Sequence, residues 1–148
     1  MKRLLILLGA LLALSSTSFA QRRQVGDIIM INGEFGVVYA VTSDGLHGKA
    51  VSVAETYCGW ASAKKWCSQL GGGWKLPLRR DLQTICNKRY KINQVLKANG
   101  YTEVKANGYW TSEEYKKDRA WDVDMGDGNT YNYCYKVNTN YVRAVSAF

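Results

Sequence analysis

The sequence holds one Pro, one His and three Phe in 148 residues, and no two cysteines stand at CxxC spacing. Each shortage removes a class. Fourteen Gly without a three-residue period exclude collagen, and 47 % hydrophobic with 12 % aromatic residues excludes a disordered chain or a long coiled coil. A nucleophile–His–acid arrangement has only His47 to draw on. That residue lies between Gly45 and Gly48, with no acid and nucleophile arranged around it, and reads as a turn residue. Without CxxC or a second His, zinc has no ligand set. The apolar run Leu4 to Leu14 is too short to span a bilayer.

That run follows Lys2 and Arg3 and precedes the small-x-small triplet Ser18-Phe19-Ala20, the pattern of a signal peptide cleaved after Ala20. The expected organisation is therefore a signal peptide, residues 1–20, and a single domain, 21–148, exported to the periplasm, the cell surface or the medium. No membrane-spanning segment is expected after signal removal. The formal charge of +8 falls to +6, from 18 basic and 12 acidic residues. It is uneven: residues 21–108 carry 13 basic and 6 acidic side chains, residues 109–148 carry 5 and 6. Export and a slightly acidic C-terminal third argue against a nucleic-acid partner. Export permits disulfides among Cys58, Cys67, Cys86 and Cys134. Four cysteines allow three pairings, among which the sequence does not choose; a buried thiol pair or one bridge at Cys67 and Cys86, both on apolar helical stripes, stands beside the reading of all four as free thiols.

From Val25 to Val53 the pattern is that of strands. IIMI, the Asn32-Gly33 turn and FGVVYAV form a hairpin, and KAVSV follows further turns. In WASAKKWCSQL, Ala63, Trp66, Cys67 and Leu70 make the stripe of an amphipathic helix over 60–70, which Gly71-Gly72-Gly73 stops. A second helix is expected over about 79–90 with Leu82, Ile85 and Cys86 inward, and a further helical turn around Ile92 to Leu96. In the last forty residues Trp121-Asp122-Val123-Asp124-Met125 alternates strictly, Gly126-Asp127-Gly128 turns, and NTYNYCYK alternates again before the closing strand Tyr141 to Val145. Strands, two helices and strands again give an α+β fold, with the helices packed on a mostly antiparallel sheet.

Three ordered anchors carry a resemblance: GGGWKLP before a helix, YWTSEEY, and AWDVDM-GDG followed by YVRAV. With this spacing the chain resembles the C-type-lectin-like domains of diversity-generating retroelement variable proteins. It is also similar to bacterial surface domains with Trp-Arg-Leu-Pro-Thr, Tyr-Trp-Ser-Ser and Val-Arg-x-Val elements. The likeness spans about residues 25–148. One departure is Leu78, which stands where that pattern has Thr and cannot cap a helix with its side chain. The resemblance implies a C-type-lectin-like fold and a ligand-binding module whose C-terminal region, about 109–148, is open to adenine-directed diversification. It implies no cofactor and no catalysis.

The residues themselves point the same way. Tyr with Asn, Ser and Gly suits binding surfaces, although Tyr is also a good strand former. If Trp121, Val123 and Met125 face the core with Trp110, Val142 and Val145, then Asp122 and Asp124 face outward. The expected recognition surface is Arg119, Asp122, Asp124, Asp127, Asn129, Tyr131, Tyr133, Tyr135, Asn138 and Tyr141, with the three β-strand tyrosines on one face. A one-residue bulge would reverse that last assignment. The aspartates alternate along a strand rather than forming an oxygen cage, and the only Pro stands at a helix entrance, so calcium-dependent sugar binding is not expected. The partner expected is an extracellular protein or glycan. The competing readings are a structural or adhesive surface subunit without a discrete ligand site, and an enzyme of the formylglycine-generating type, for which the close cysteine pair is missing.

Overall fold

Asn32 and Gly33 take φ of +46° and +92°, the left-handed pair that a two-residue hairpin requires. They join β1 (Ile28–Ile31) to β2 (Glu34–Val41) in the register Ile31↔Glu34. The computed structural model describes residues 19–148, and the signal-peptide expectation falls almost wholly outside the described residues. After β3 (Gly48–Ser52) and β4 (Thr56–Cys58) come three helices: α1 (Trp60–Gln69), α2 (Arg79–Asn87) and α3 (Arg89–Ala98). The rest is strand: β5 (Gly108–Lys116), β6 (Arg119–Asp124), β7 (Thr130–Tyr135), β8 (Asn140–Val142) and β9 (Val145–Ala147). The fold is α+β and C-type-lectin-like, as expected.

Two sheets form, in the orders β1-β2-β3-β9 and β4-β8-β5-β6-β7. Among the described residues only the β5–β8 pair is parallel, and the other strand pairs are antiparallel. The last strand thus returns to the first sheet, where Lys49 pairs with Ala147 and Val51 with Val145.

The helices obey the apolar periodicity. In α1, Trp60, Ala63 and Cys67 are buried, and Leu70 ends the last turn. Gly71 follows with φ +145° at a crowded position: a Cβ there would stand 2.0 Å from the Asn32 carbonyl oxygen. The glycine turn is pinned to the first hairpin, with Asn32 Nδ2 donating to the Gly72 carbonyl at 2.5 Å and Trp74 Nε1 to that of Ile31 at 2.7 Å. Leu78 occupies the cap position of α2 without a polar side chain, and carboxylates do the capping. Asp81 Oδ2 accepts the Leu78 N–H at 3.1 Å, and Glu113 Oε2 on β5 accepts that of Arg79 at 2.6 Å. The helical turn expected around Ile92 is a full ten-residue helix, because Ile92 and Leu96 are buried one turn apart.

Two core clusters sit on opposite faces of the five-stranded sheet. One joins Leu82, Ile85, Ile92 and Leu96 of α2 and α3 to Val37, Val51, Tyr109, Val123 and Met125. The other joins Trp60, Ala63 and Cys67 of α1 to Trp74, Trp110, Ala120 and Val142. This division decides between the cysteine alternatives in favour of free thiols. Cys67 lies in the second cluster and Cys86 packs against the first, so the bridge between them is not formed; all four cysteines are free. Cys86 is only half-buried, its thiol donating to the Met125 carbonyl at 3.3 Å.

Candidate recognition surface

Alternation along β6 decides which side chains face which cluster. Val123 and Met125 turn toward α2, while Ala120 turns toward α1. Asp122 shares the α1 side, and the expectation that it faces solvent is corrected. It is 6 % exposed, covered in part by Asn140 of β8, whose Nδ2 donates to Oδ2 at 2.9 Å. Burial pushes the Asp122 carboxyl above the ordinary carboxylate value. Gly108 makes room for this contact, since a Cβ there would lie 2.8 Å from both Asp122 Oδ2 and Asn140 Oδ1. Trp121 also departs from expectation: it is half-buried, with the Arg79 guanidinium 4.0 Å from its ring centroid and Tyr115 edge-on at 5.7 Å.

The β6–β7 ladder carries a one-residue irregularity. Arg119 pairs with Tyr135 and Ala120 with Cys134, but Asp122 pairs with Tyr131. β7 therefore holds one extra residue between these pairs, and the expected single-faced tyrosine ladder is split across the sheet. Tyr135 shares the face of Arg119, whose Nη2 donates to the Tyr135 hydroxyl at 3.0 Å with the guanidinium 4.7 Å from the ring centroid. Tyr131 shares the opposite face with Asp122 and Cys134, and its ring centroid lies 5.3 Å from that of Tyr133. Tyr133 is 60 % exposed and Tyr135 44 %, while Tyr131 is half-buried. The Cys134 thiol is pushed up to about 12 by burial and by the Asp122 charge.

The hairpin tip is polar and largely self-satisfied. Asp124 Oδ1 accepts the Gly126 N–H at 2.7 Å, Asp127 Oδ1 that of Asn129 at 2.9 Å, and Asp127 Oδ2 the Asn129 side-chain amide at 2.9 Å. Asp127 and Asn129 are exposed, and so is Asn138 in the turn after β7, its N–H donating to the Tyr135 carbonyl at 2.9 Å. Tyr141 stands apart from these. It is half-buried on the other side of β5, between Tyr57 at 4.8 Å and Tyr109 at 5.5 Å, with Lys105 Nζ 4.7 Å from its ring centroid. The structure thus gathers Asp122, Asp124, Tyr131 and Tyr133 on one face, Arg119 and Tyr135 on the other, and Asp127 with Asn129 at the tip.

Asn140, Tyr57 and Arg79 join these groups without having been singled out in the sequence. Strand pairing brings Tyr57 and Asn140 there, and the packing of α2 brings Arg79: Asn140 reaches β6 across β5, and no local pattern in VNTNY marks it.

The arrangement of the anchors is now explicit. GGGWKLP leads into α2, YWTSEEY is the central strand of the second sheet, and the VRAV stretch links the two sheets. The model of the Lcl C-terminal domain family matches residues 34–146, from the first residue of β2 into β9. The chain belongs to the Lcl C-terminal domain family. This family is a C-type-lectin-like one found in bacterial surface proteins. The match takes in the whole β6–β7 hairpin and the buried members of both core clusters apart from Ile29 of β1. No curated protein matches the chain.

Proposed function

We propose that this Lcl C-terminal domain is an exported binding module that recognises an extracellular protein or glycan through the β6–β7 hairpin and its flanks. One observation carries the reading: exposed Tyr133 and Tyr135 and the polar tip project from a strand at the rim of a sheet whose centre is packed on both faces. Rigid aromatic groups beside charged ones, on a scaffold that does not move, are where binding energy concentrates. The same layout suits diversification by a retroelement. Outward positions of an edge strand change without disturbing Trp110, Val123 or Met125 beneath them. We read the chain as a binder rather than an enzyme. His47 is exposed in the β2–β3 turn, and its backbone N–H and carbonyl are engaged with Thr42.

The test is binding of the purified protein to arrays of extracellular proteins and glycans, repeated with Tyr133→Ala and Tyr135→Ala. The expected result is a saturable ligand lost in both variants, with melting temperatures within a few degrees of the unaltered protein. Ligand binding that survives both substitutions overturns the hairpin as the recognition surface. Export predicts a mature N-terminus at Gln21 by N-terminal sequencing. Diversification predicts a neighbouring reverse-transcriptase gene and an adenine-containing near-copy of the C-terminal coding region.

A further inference from the structure

Asp122 is more than nine-tenths buried, yet only one of its carboxylate oxygens is satisfied. Oδ2 accepts from Asn140, while Oδ1 has no well-aligned hydrogen bond among the described residues, only the weakly donating Cys134 thiol standing beside the carboxylate. Asn140 reaches Oδ2 from the β8 side, two strands away, and on its other side Asp122 borders β7. There it meets Tyr131, its cross-strand partner, with Tyr133 and Cys134 close by. The Tyr131 and Tyr133 rings stand 5.3 Å apart at 55°, two walls of a corner, and neither hydroxyl makes a hydrogen bond among the described residues. Asp124 adds a second carboxylate two residues along the same strand face. Glu55, Asp81, Glu113 and Glu114 are ion-paired, whereas no ion pair among the described residues reaches Asp122, Asp124 or Asp127. A buried carboxylate oxygen without a well-aligned donor is costly, and a charged donor is the group that offsets that cost best.

We propose that this corner binds a primary alkylammonium group, with Asp122 Oδ1 as its acceptor and the Tyr131 and Tyr133 rings as its walls. The inference rests on the reading of the β6–β7 hairpin as the recognition surface and narrows its ligand to one carrying an amine. The source is a lysine side chain of a partner protein or a free diamine. An ammonium has three donors and a compact charge, which suits one free carboxylate oxygen beside two aromatic faces. A guanidinium fork asks for two parallel acceptors, and Asp122 has only one to offer. Tyr133, 60 % exposed and without a hydrogen bond to hold it, is the side chain that turns aside to admit the group. Entry from the other direction is closed by Asn140 over Gly108.

The experiment is calorimetric titration of the purified protein with Nα-acetyl-lysine methylamide, with putrescine, and with the ε-acetylated lysine analogue as the neutral control. At least one amine is expected to saturate a single site while the acetylated analogue does not. Asp122→Asn and Tyr133→Ala are each expected to weaken that binding by about tenfold or more. Binding of the lysine derivative alone identifies a partner side chain, and binding of putrescine a free diamine. Because Asp122→Asn disturbs a buried group, amide resonances of the unaltered protein provide a second readout, with shifts expected at Asp122, Tyr131 and Tyr133. Failure of both amines to bind, equal binding by a folded Asp122→Asn variant, or shifts confined to other strands overturns the proposal. If the array ligand is lost in Tyr133→Ala while neither amine binds, the recognition surface stands and this inference falls.

Discussion

Arg143 lies in the most recognisable part of the sequence, and the fold uses its whole guanidinium. It is 1 % exposed, with Nε donating to Glu55 Oε2 at 2.8 Å, Nη1 to the Ser52 carbonyl at 3.0 Å and Nη2 to that of Thr102 at 2.6 Å. Glu55 also accepts from the Tyr109 hydroxyl at 2.6 Å and from Lys105. Arg143→Met leaves Glu55 and the Ser52, Val53 and Thr102 carbonyls without this donor, and breaking a buried pair costs about 3–5 kcal/mol. The expected result is a fall in melting temperature on the order of 10 °C, read by circular dichroism. Glu55 also makes stability depend on pH. Burial pushes its carboxyl up, but the Lys105, Tyr109 and Arg143 donors outweigh burial and hold it below the ordinary value of 4.5. A carboxyl depressed by folding stabilises the native state above its unfolded value, and that contribution fades as pH falls through the folded one. Glu55→Gln is therefore expected to be less stable near neutrality, with a flatter dependence of the denaturation midpoint on pH below 4.5.

At the scale of single elements, α2 and β7 both depend on what lies beside them. Helix α2 begins at a leucine, and its first free N–H groups are met by Asp81 within the helix and Glu113 from β5. Glu113 also pairs with the Arg79 guanidinium at 3.1 Å across a partly exposed contact. Glu113→Ala is expected to destabilise by about 1 kcal/mol, the usual worth of a cap, and to leave the fold intact. Thermal melting checks this, and an unchanged midpoint would mean water caps the helix equally well. Strand β7 sits at the edge with an extra residue, and such a bulge blunts pairing by another chain as well as re-aiming side chains. Tyr133→Ala and Tyr135→Ala are expected to move the melting temperature by only a few degrees, since surface substitutions stay within about 0.5 kcal/mol. Tyr131→Ala, at a half-buried site beside Asp122, is expected to cost more than either.

Across the whole molecule, the two sheets are held together by the C-terminal chain. Strand β8 lies in the five-stranded sheet, β9 pairs with β3 in the other, and Arg143 between them anchors to Glu55 and Thr102. Lys75 closes the arrangement by exchanging backbone hydrogen bonds with Val145, at 3.0 and 2.9 Å. Removing residues 145–148 strips an edge of the first sheet and uncovers Val51 and Ala50. The expected outcome is loss of a cooperative thermal transition and of near-ultraviolet dichroism. A truncated chain that melts at the original temperature would show that β9 is dispensable.

The sequence by itself determined the hairpin at Asn32-Gly33, the amphipathic stripes of α1 and α2, the α+β order and, through three spaced anchors, the family. These are local signals: a left-handed turn pair, a 3.6-residue apolar period, a two-residue alternation. The tertiary structure alone decided what lies over each face. Asp122 alternates like an outward residue but is buried, because Asn140 arrives over it from two strands away and Gly108 leaves it room. The tyrosines of β7 alternate as though on one face, yet one extra residue in the ladder sends Tyr131 and Tyr135 to opposite sides. Periodicity places side chains relative to their own strand. Which side is covered, and by what, depends on strands distant in sequence.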